Sequence, residues 1–227
     1  MARRSERTQE GVVIVDGPRL LAEAVAADLY VETVFHAPGA SFERPAGADV
    51  VELAAGVLER VSDVDAPQGC VAIVRRPVSF LPLHASFVVV AAGVGDPGNL
   101  GTIIRSAEAA GADAVMVTAG SADVFSPKTT RASAGAVFHV AIVDGDPRTL
   151  GLRLIGTDAH VGTPFYKADL TGPLALVLGN ETHGVAADLT VDEIVTIPHV
   201  GRSESLNVAM AATVLCFEVA RQRGARR

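Results

Sequence analysis

Three short stretches of the sequence place polar side chains just after apolar runs, where ligands are commonly bound. The first, DPGNLGTIIRS, sets Asn99 and Arg105 six residues apart. We expect Asn99 to cap a helix, which puts Arg105 less than two turns from the preceding loop. A guanidinium there can bind a phosphate or stabilise an oxyanion, although a solvated surface arginine is the plainer interpretation.

The glycines before this helix have the spacing of a dinucleotide-binding turn. Gly93, Gly95 and Gly98 follow an apolar run. Such a turn also needs an acidic residue at the end of the next strand to hold a ribose, and Asp123 is a poor candidate for it. Because a lone glycine pattern is weak support, an NAD-binding oxidoreductase is the least favoured function.

The second and third stretches also lead from an apolar run into small and polar residues. They read LALVLGNETHGV and VTIPHVGRSESLNVAMAATV. Their candidate functional residues are Gly179, Glu181, Ser205 and Asn207. Helix caps and turns can account for either motif alone, so neither identifies a function by itself.

The elements that must position these residues alternate between strand and helix from residue 87 onward. Most of the strand candidates are continuous apolar runs, which is typical of strands buried on both faces of a parallel sheet. The predicted strands are 87–94, 114–119, 137–143, 153–159, 174–179 and 193–199, and the predicted helices are 99–110, 126–134 and 205–223. We therefore expect an α/β domain over 87–227, with ligands at the carboxyl edge of its sheet.

The residues before this region predict a smaller α/β domain over 1–78. Its predicted strands are 12–17, 31–37 and 70–77, and its predicted helices are 18–29 and 49–63. Two prolines fall in the segment that follows, and we interpret residues 79–86 as a linker.

Composition indicates a soluble globular protein and excludes several classes. The chain has 227 residues, of which 49% are hydrophobic, and a net charge of −7, which argues mildly against a protein coated in nucleic acid. Arginines nevertheless cluster at both ends and at Arg75 and Arg76, either as phosphate-binding patches or as solvated charges. No signal peptide or membrane span is evident, and Cys70 and Cys216 have neither disulfide nor metal spacing, which favours the cytoplasm. His183 and His199 are interpreted as structural, and no metal site is expected.

In their order and spacing, these stretches resemble the signature motifs of the SpoU (TrmH-type) RNA 2′-O-ribose methyltransferases, a branch of the SPOUT superfamily. The resemblance covers roughly residues 86–223. It rests on DPGNLGTIIRSAEAAGADAV, GSADVFSPKTTRASAGAVF, LVLGNETHGV and IPHVGRSESLNVAMAATV. The first region is similar to the small RNA substrate-binding domain of many members, with VVIVDGPRLLAEA in place of a related EG-x-x-L stretch.

The resemblance implies a parallel α/β sheet whose C-terminal part threads into a trefoil knot. It also implies that S-adenosylmethionine binds in the knot, mainly to main-chain amides and carbonyls. The matching cofactor-binding positions are Thr157, Ala159, Leu178, Gly179, Ile197, Ser205 and Leu206. Most of these side chains are small or apolar, which is compatible with recognition by the main chain.

The resemblance further implies that Arg105 is catalytic and contacts both the substrate phosphate and the ribose hydroxyl. A guanidinium is a very reluctant base, so stabilising a developing alkoxide is its physically easier role. Asn99, Ser205 and Asn207 match other polar positions around the site. Glu181 matches an acidic position, and we expect it to position Arg105 and its loop.

The implied partners are RNA and a second copy of the chain. The two-domain layout favours ribosomal RNA, and the alternatives are a tRNA 2′-O-methyltransferase or a non-catalytic RNA-binding assembly factor. The segment 206–220 is apolar nearly all round. This is more apolar surface than the core of a small domain can cover on one face of a helix. We therefore expect a homodimer through the knot region and the C-terminal helix.

Overall fold

A computed structural model describes residues 4–61, 68–179, 189–202 and 204–224. The first part of the chain forms a four-stranded sheet of β1 (Val12–Asp16), β2 (Val31–His36), β3 (Asp49–Glu52) and β4 (Cys70–Arg75). In this sheet β4 lies between β1 and β2 and is antiparallel to both, whereas β3 runs parallel to β2 at the edge. Its helices in the described residues are α1 (Arg4–Glu10), α2 (Pro18–Ala26) and α3 (Leu58–Val61).

The second part forms a seven-stranded sheet in which every pairing is parallel, which confirms the predicted α/β class. Its strands are β5 (Phe87–Ala91), β6 (Ala114–Val117), β7 (Ala141–Asp144), β8 (Arg153–Thr157), β9 (Thr163–Pro164), β10 (Leu174–Leu178) and β11 (Glu193–Thr196). The spatial order is β7-β6-β5-β10-β8-β11-β9. The accompanying helices are α4 (Pro97–Ala109), α5 (Pro127–Ala132) and α6 (Val208–Gln222). Every residue of β5 and of β10 is buried, as expected for central strands covered on both faces.

The helix predicted over 49–63 is wrong. Residues 49–52 instead form β3, and only the short helix α3 follows. The β-branched Val50 and Val51 favour an extended chain, and Val50 pairs with Val34 of β2. Gly56 then adopts a φ of 77°, a left-handed conformation that a continuous helix cannot contain.

The strand predicted over 137–143 is only partly right. Residues 136–138 form a single 3₁₀ turn, and the strand β7 begins at Ala141. Ala134 and Gly135 have φ angles of 51° and 94°, so the chain reverses direction just before this turn. Buried Phe138 then anchors the turn to the core, which separates it from the strand that follows.

The two parts of the chain share a hydrophobic core and are joined by ion pairs, with β1 packing against α5. Val13 and Val15 of β1 belong to the same buried hydrophobic cluster as Val89 of β5. Arg7 is one of the arginines clustered near the start of the sequence, for which phosphate binding or solvation was expected, but it is only 9% exposed and its guanidinium lies 2.7 Å from the Asp123 carboxylate. That ion pair joins α1 to the loop after β6. Within the described residues, no helix has the length and apolar character needed to cross a membrane.

Candidate active site

A cavity of about 330 Å³ opens where β8, β10 and β11 end and α6 begins. Because these strands are parallel, their carboxyl ends lie at the same edge of the sheet, the usual ligand-binding edge of such folds. Its wall is formed by Thr157, Asp158, Ala159, His160, Leu178, Gly179, Val195, Ile197, His199, Glu204, Ser205, Leu206, Val208, Ala211 and Leu215. The volume is within the range of roughly 300–1,000 Å³ typical of small-molecule sites.

All of the residues predicted to bind the cofactor lie in this wall, although their sequence positions are up to 49 residues apart. They come from three strand ends and from the segment leading into α6, namely Thr157, Ala159, Leu178, Gly179, Ile197, Ser205 and Leu206. The floor is apolar, with Val195 and Leu215 fully or almost fully buried. Main-chain groups at the strand ends above an apolar floor suit a ligand with both a flat apolar part and polar atoms.

Charged and polar wall residues were missed by the sequence reasoning. Asp158 accepts hydrogen bonds from the main-chain N–H groups of His160 and Val161, at 2.8 and 3.0 Å, and these bonds lower the pKa of its carboxyl. It therefore stays ionised, and together with Glu204 it makes the wall acidic and suited to a cation. The position of Asp158 directly after an apolar run was a usable signal.

His199 also lies in the cavity wall, although the sequence favoured a structural histidine. Its Nε2 atom is shielded from solvent and has no hydrogen-bond partner among the described residues. A buried imidazole nitrogen normally forms a hydrogen bond, and the described part of the protein provides none for this atom.

The starts of α4 and α6 are joined by a side-chain hydrogen bond between two predicted site residues. Nδ2 of Asn207 donates to Oδ1 of Asn99 at 3.0 Å, across 108 residues of sequence. Asn207 is the N-cap of α6, and its Oδ1 accepts from the main-chain N–H of Ala209 at 2.9 Å. This arrangement fixes both amides beside each other at the helix starts.

The prediction that Asn99 caps α4 is wrong, because the cap is Asp96. Pro97 occupies the first helical turn, and Oδ1 of Asp96 accepts the main-chain N–H of Asn99 at 2.8 Å. This bond, together with the nearby Lys128 ammonium, lowers the pKa of Asp96. The Asn99 side chain is thereby left to bond with Asn207 instead of with its own helix.

Arg105 lies on the exposed side of α4, and its side chain has no hydrogen bond or ion pair within the described part of the chain. Its neighbours in sequence hold the helix firmly. Ile104 is fully buried, and the Ser106 hydroxyl lies 2.7 Å from that of Thr213 on α6. The guanidinium therefore projects from a fixed base and is free to contact a ligand. Glu181, together with Asn180 and His183, lies outside the described residues.

The glycine turn before α4 is not arranged to bind a pyrophosphate. The main-chain N–H groups of Gly93 and Val94 donate to the hydroxyls of Thr118 and Ser121, both at 3.1 Å. In a dinucleotide fold such groups and the helix start face the phosphates. Here the Asp96 carboxylate already occupies the start of the helix and would repel an anion.

Gly95 provides a direct test of this interpretation. An added Cβ would meet no atom within 4 Å, and the φ angle lies outside the left-handed region. We expect Gly95→Ala to change the free energy of unfolding by less than about 1 kcal/mol and to leave S-adenosylmethionine affinity unchanged. Thermal unfolding and titration calorimetry measure both quantities. Gly93→Ala, at a φ of 68°, is the strained control, and a Gly95→Ala protein without cofactor binding would contradict this account.

Comparison with protein families agrees with this geometry. The family model described as the SpoU rRNA Methylase family matches residues 86–217, and that described as the MRM3-like substrate binding domain matches residues 1–72. The first match covers more than half of the chain, including the cavity and α4.

Two 23S rRNA methyltransferases match this chain over most of their length. The chain is 31% identical to the 23S rRNA (guanosine(2553)-2′-O)-methyltransferase RlmP of Bacillus subtilis, over 95% of this chain and 91% of that protein. It is 32% identical to the 23S rRNA (uridine(2479)-2′-O)-methyltransferase of Streptomyces viridochromogenes, over 98% of this chain and 87% of that protein.

Solved structures give the same result. The SpoU methyltransferase AviRb of S. viridochromogenes, in complex with the cofactor AdoMet, superposes with a TM-score of 0.86 at 32% identity, over 100% of this chain and 96% of that one. The TrmH/SpoU tRNA modifying enzyme of A. aeolicus gives a TM-score of only 0.55 at 26% identity, over 62% of this chain and 77% of that one. By its motifs, its fold and these matches, the chain belongs to the SpoU rRNA methylase family.

Proposed function

We propose that this protein transfers a methyl group from S-adenosylmethionine to a ribose 2′-hydroxyl of ribosomal RNA. The proposal rests mainly on the likeness, over the whole chain, to the structure of AviRb in complex with AdoMet. It is supported by the cavity, which is lined by all of the predicted cofactor-binding residues. The protein is an RNA 2′-O-methyltransferase, and S-adenosylmethionine is its cofactor.

The residues of the cavity fit this cofactor. Main-chain groups around Thr157, Leu178 and Ile197 would bind the polar edge of an adenine and its ribose, and Val195 and Leu215 would supply apolar surface for the ring. The carboxylates of Asp158 and Glu204 give the wall a negative charge that suits a sulfonium. We infer that the chain around these strand ends forms the trefoil knot typical of the family.

The reaction would form a bond between the 2′-oxygen and the methyl carbon as the bond between that carbon and the cofactor sulfur breaks, and the hydroxyl proton would pass to solvent water. The cofactor supplies a methyl group activated by its sulfonium. A ribose hydroxyl is a weak nucleophile at neutral pH, so the protein must hold it in line and stabilise the charge that develops on its oxygen. Arg105 meets this need, because the donors of a planar guanidinium can contact both the oxygen and a neighbouring phosphate.

The other polar residues position this arginine and the ribose. Asn99 and Asn207 present paired amides one to two turns from Arg105, and their mutual hydrogen bond keeps each in one orientation. Ser205 lies in the cavity wall just before α6 and is placed to contact either cofactor or ribose. Glu181 is proposed to orient Arg105 and its loop.

Residues 1–78 are proposed to bind the RNA substrate, 79–86 to link the domains, and 87–227 to perform catalysis. Full-length likeness to enzymes named for 23S rRNA supports ribosomal RNA over tRNA, since the tRNA-modifying structure leaves more than a third of this chain unmatched. We propose a cytoplasmic location, because the relatives from Bacillus subtilis and Streptomyces viridochromogenes that are named for 23S rRNA are bacterial proteins. A non-catalytic assembly factor would not need the paired amides, or an exposed Arg105 that has no partner among the residues that the structure describes.

Methyl transfer is tested with methyl-labelled S-adenosylmethionine and total RNA from cells that lack this enzyme. We expect label in one ribosomal RNA species, located on a ribose by nuclease digestion and mass spectrometry. Cofactor binding without label in any RNA would favour the assembly-factor alternative, and label in tRNA alone would replace the proposed substrate.

We propose that the protein is a homodimer, because α6 leaves an apolar stripe exposed. Met210, Val214 and Phe217 lie on one helix face and are 55%, 38% and 49% exposed. Exposed apolar surface of this kind marks an interaction site. We expect sedimentation equilibrium at micromolar concentration to give twice the chain mass of 23.4 kDa, and Phe217→Asp to give the monomer. Leu83→Asp, at a residue 92% exposed outside the stripe, is the control, and a monomeric parent protein contradicts the proposal.

A further inference from the structure

A second groove lies beside β7, the edge strand of the catalytic sheet that is four strands away from β8 and the cofactor cavity. It has a volume of about 840 Å³ and separates the chain segment 75–81 from the outer edge of β7. Residues 142–145 and 149–150 form its opposite wall, and Phe125 closes one end. Neither the cofactor nor the proposed catalytic residues use this groove.

The segment 75–81 exposes large apolar side chains to the groove and to solvent. Phe80 is 79% exposed and Val78 is 81% exposed. Phe80 has no ring or cation contact among the described residues. Because most of its surface is open to solvent, the Phe80 ring is available as a stacking surface.

Arg76 adds a positioned cation at the same place. Its guanidinium lies 4.5 Å above the centre of the Phe125 ring, and its N–H groups have no acceptor in the described part of the chain. Arg75 differs, since it forms an ion pair with Glu32 and donates to the main-chain carbonyl of Glu10. The contact with Phe125 holds the Arg76 guanidinium beside the groove, where its N–H groups can bind a phosphate.

The groove opens at the same edge of the sheet as the cofactor cavity. Phe125 follows β6, and Asp144 ends β7, whereas the cavity lies beyond the ends of β8, β10 and β11. All these strands are parallel, and four strand spacings separate β8 from β7, which amounts to roughly 19 Å. The first turn of α4, with Asn99, follows β5 and therefore lies between the two sites.

We propose that this groove binds a nucleotide that flanks the methylated one by a few positions, an inference that rests on the proposed function. Its base stacks on Phe80, and its phosphate pairs with Arg76. The Asp144 carboxylate, at the groove wall, accepts a hydrogen bond from an exocyclic amino group of the base. The groove thus contributes to the choice of target site without taking part in methyl transfer.

The test uses the full-length protein and an in vitro transcript of large-subunit ribosomal RNA that carries 4-thiouridine. After irradiation and digestion, we expect mass spectrometry to find crosslinked nucleotide within residues 76–81. We expect Phe80→Ala to remove this crosslink and to raise the KM for the RNA on the order of tenfold, since base–aromatic stacking has this size. The kcat at saturating RNA and the Kd for S-adenosylmethionine should not change.

Leu83→Ala is the matched control, because Leu83 lies two residues beyond the segment, is 92% exposed and does not line the groove. Parent protein that binds the cofactor and crosslinks at 76–81 without methylating the RNA would refute the proposed function and leave the groove assignment standing. Absence of the crosslink, or a KM within twofold of the parent value for Phe80→Ala, would overturn the groove assignment. A lower sedimentation mass for Phe80→Ala would overturn it as well, in favour of a contact between copies of the chain.

Discussion

Arg105→Ala is expected to lower kcat for methyl transfer by about 10²–10³-fold, the usual cost of losing one stabilising donor at a reacting oxyanion. The substitution should leave the fold intact, because Arg105 lies on the exposed side of α4 and has no partner among the described residues. It should also leave the affinity for S-adenosylmethionine unchanged, since Arg105 is not part of the cavity wall. Single-turnover methylation and calorimetry measure the two quantities separately.

Arg105→Lys distinguishes the possible roles of the arginine. A lysine keeps the positive charge but loses the planar pair of donors that contacts an oxygen and a phosphate together. We expect the Lys variant to recover only part of the lost rate, because charge stabilisation survives and the two-point contact does not. Full activity would show that the guanidinium geometry is dispensable. Arg153 is the first residue of β8 and lies at the amino end of this strand, away from the cavity, so Arg153→Ala is the control for loss of a positive charge.

The sequence indicated which residues line the cavity proposed to hold the cofactor, because that cavity lies at strand ends, which apolar runs reveal. Leu178 and Ile197 follow such runs, and parallel pairing brings strand ends to one edge whatever their separation in sequence. Strands at the edge of a sheet were harder to predict from the sequence. The strand β3 has only four residues, mostly exposed, so its two valines did not outweigh a helical pattern in the surrounding residues.

The wrong prediction of the α4 cap and the failure to predict the ion pair of Arg7 have different causes. Asp96 before Pro97 is a recognisable cap followed by a proline in the first turn, so the sequence contained the signal for the true start of α4. By contrast, Arg7 pairs with Asp123 across 116 residues, and nothing local in either segment indicates the other. The bond between Asn99 and Asn207 is of this second kind. Such pairings follow from how the sheets and helices pack, which periodicity does not determine.

Gly101→Ala is expected to destabilise the protein although it replaces glycine within a helix. Helix propensity alone would favour alanine by about 1 kcal/mol. However, a Cβ at Gly101 would lie 2.5 Å from the main-chain oxygen of Thr129 and 2.9 Å from the main-chain nitrogen of Ser133. Main-chain atoms cannot move aside by rotating a side chain, so α4 and α5 must separate. Overpacking of this kind costs typically 1–3 kcal/mol and here outweighs the propensity gain.

The same displacement should impair catalysis more than cofactor binding. Asn99 and Arg105 flank Gly101 on α4 and move with the helix, whereas the cavity wall comes from β8, β10, β11 and the start of α6. We expect urea denaturation to show a lower midpoint, and the folded Gly101→Ala protein to bind S-adenosylmethionine normally but methylate slowly. Gly172→Ala is the matched control, because a Cβ there meets no atom within 4 Å. If Gly101→Ala were as stable and as active as the control, the close packing of α4 on α5 could not be what positions Arg105.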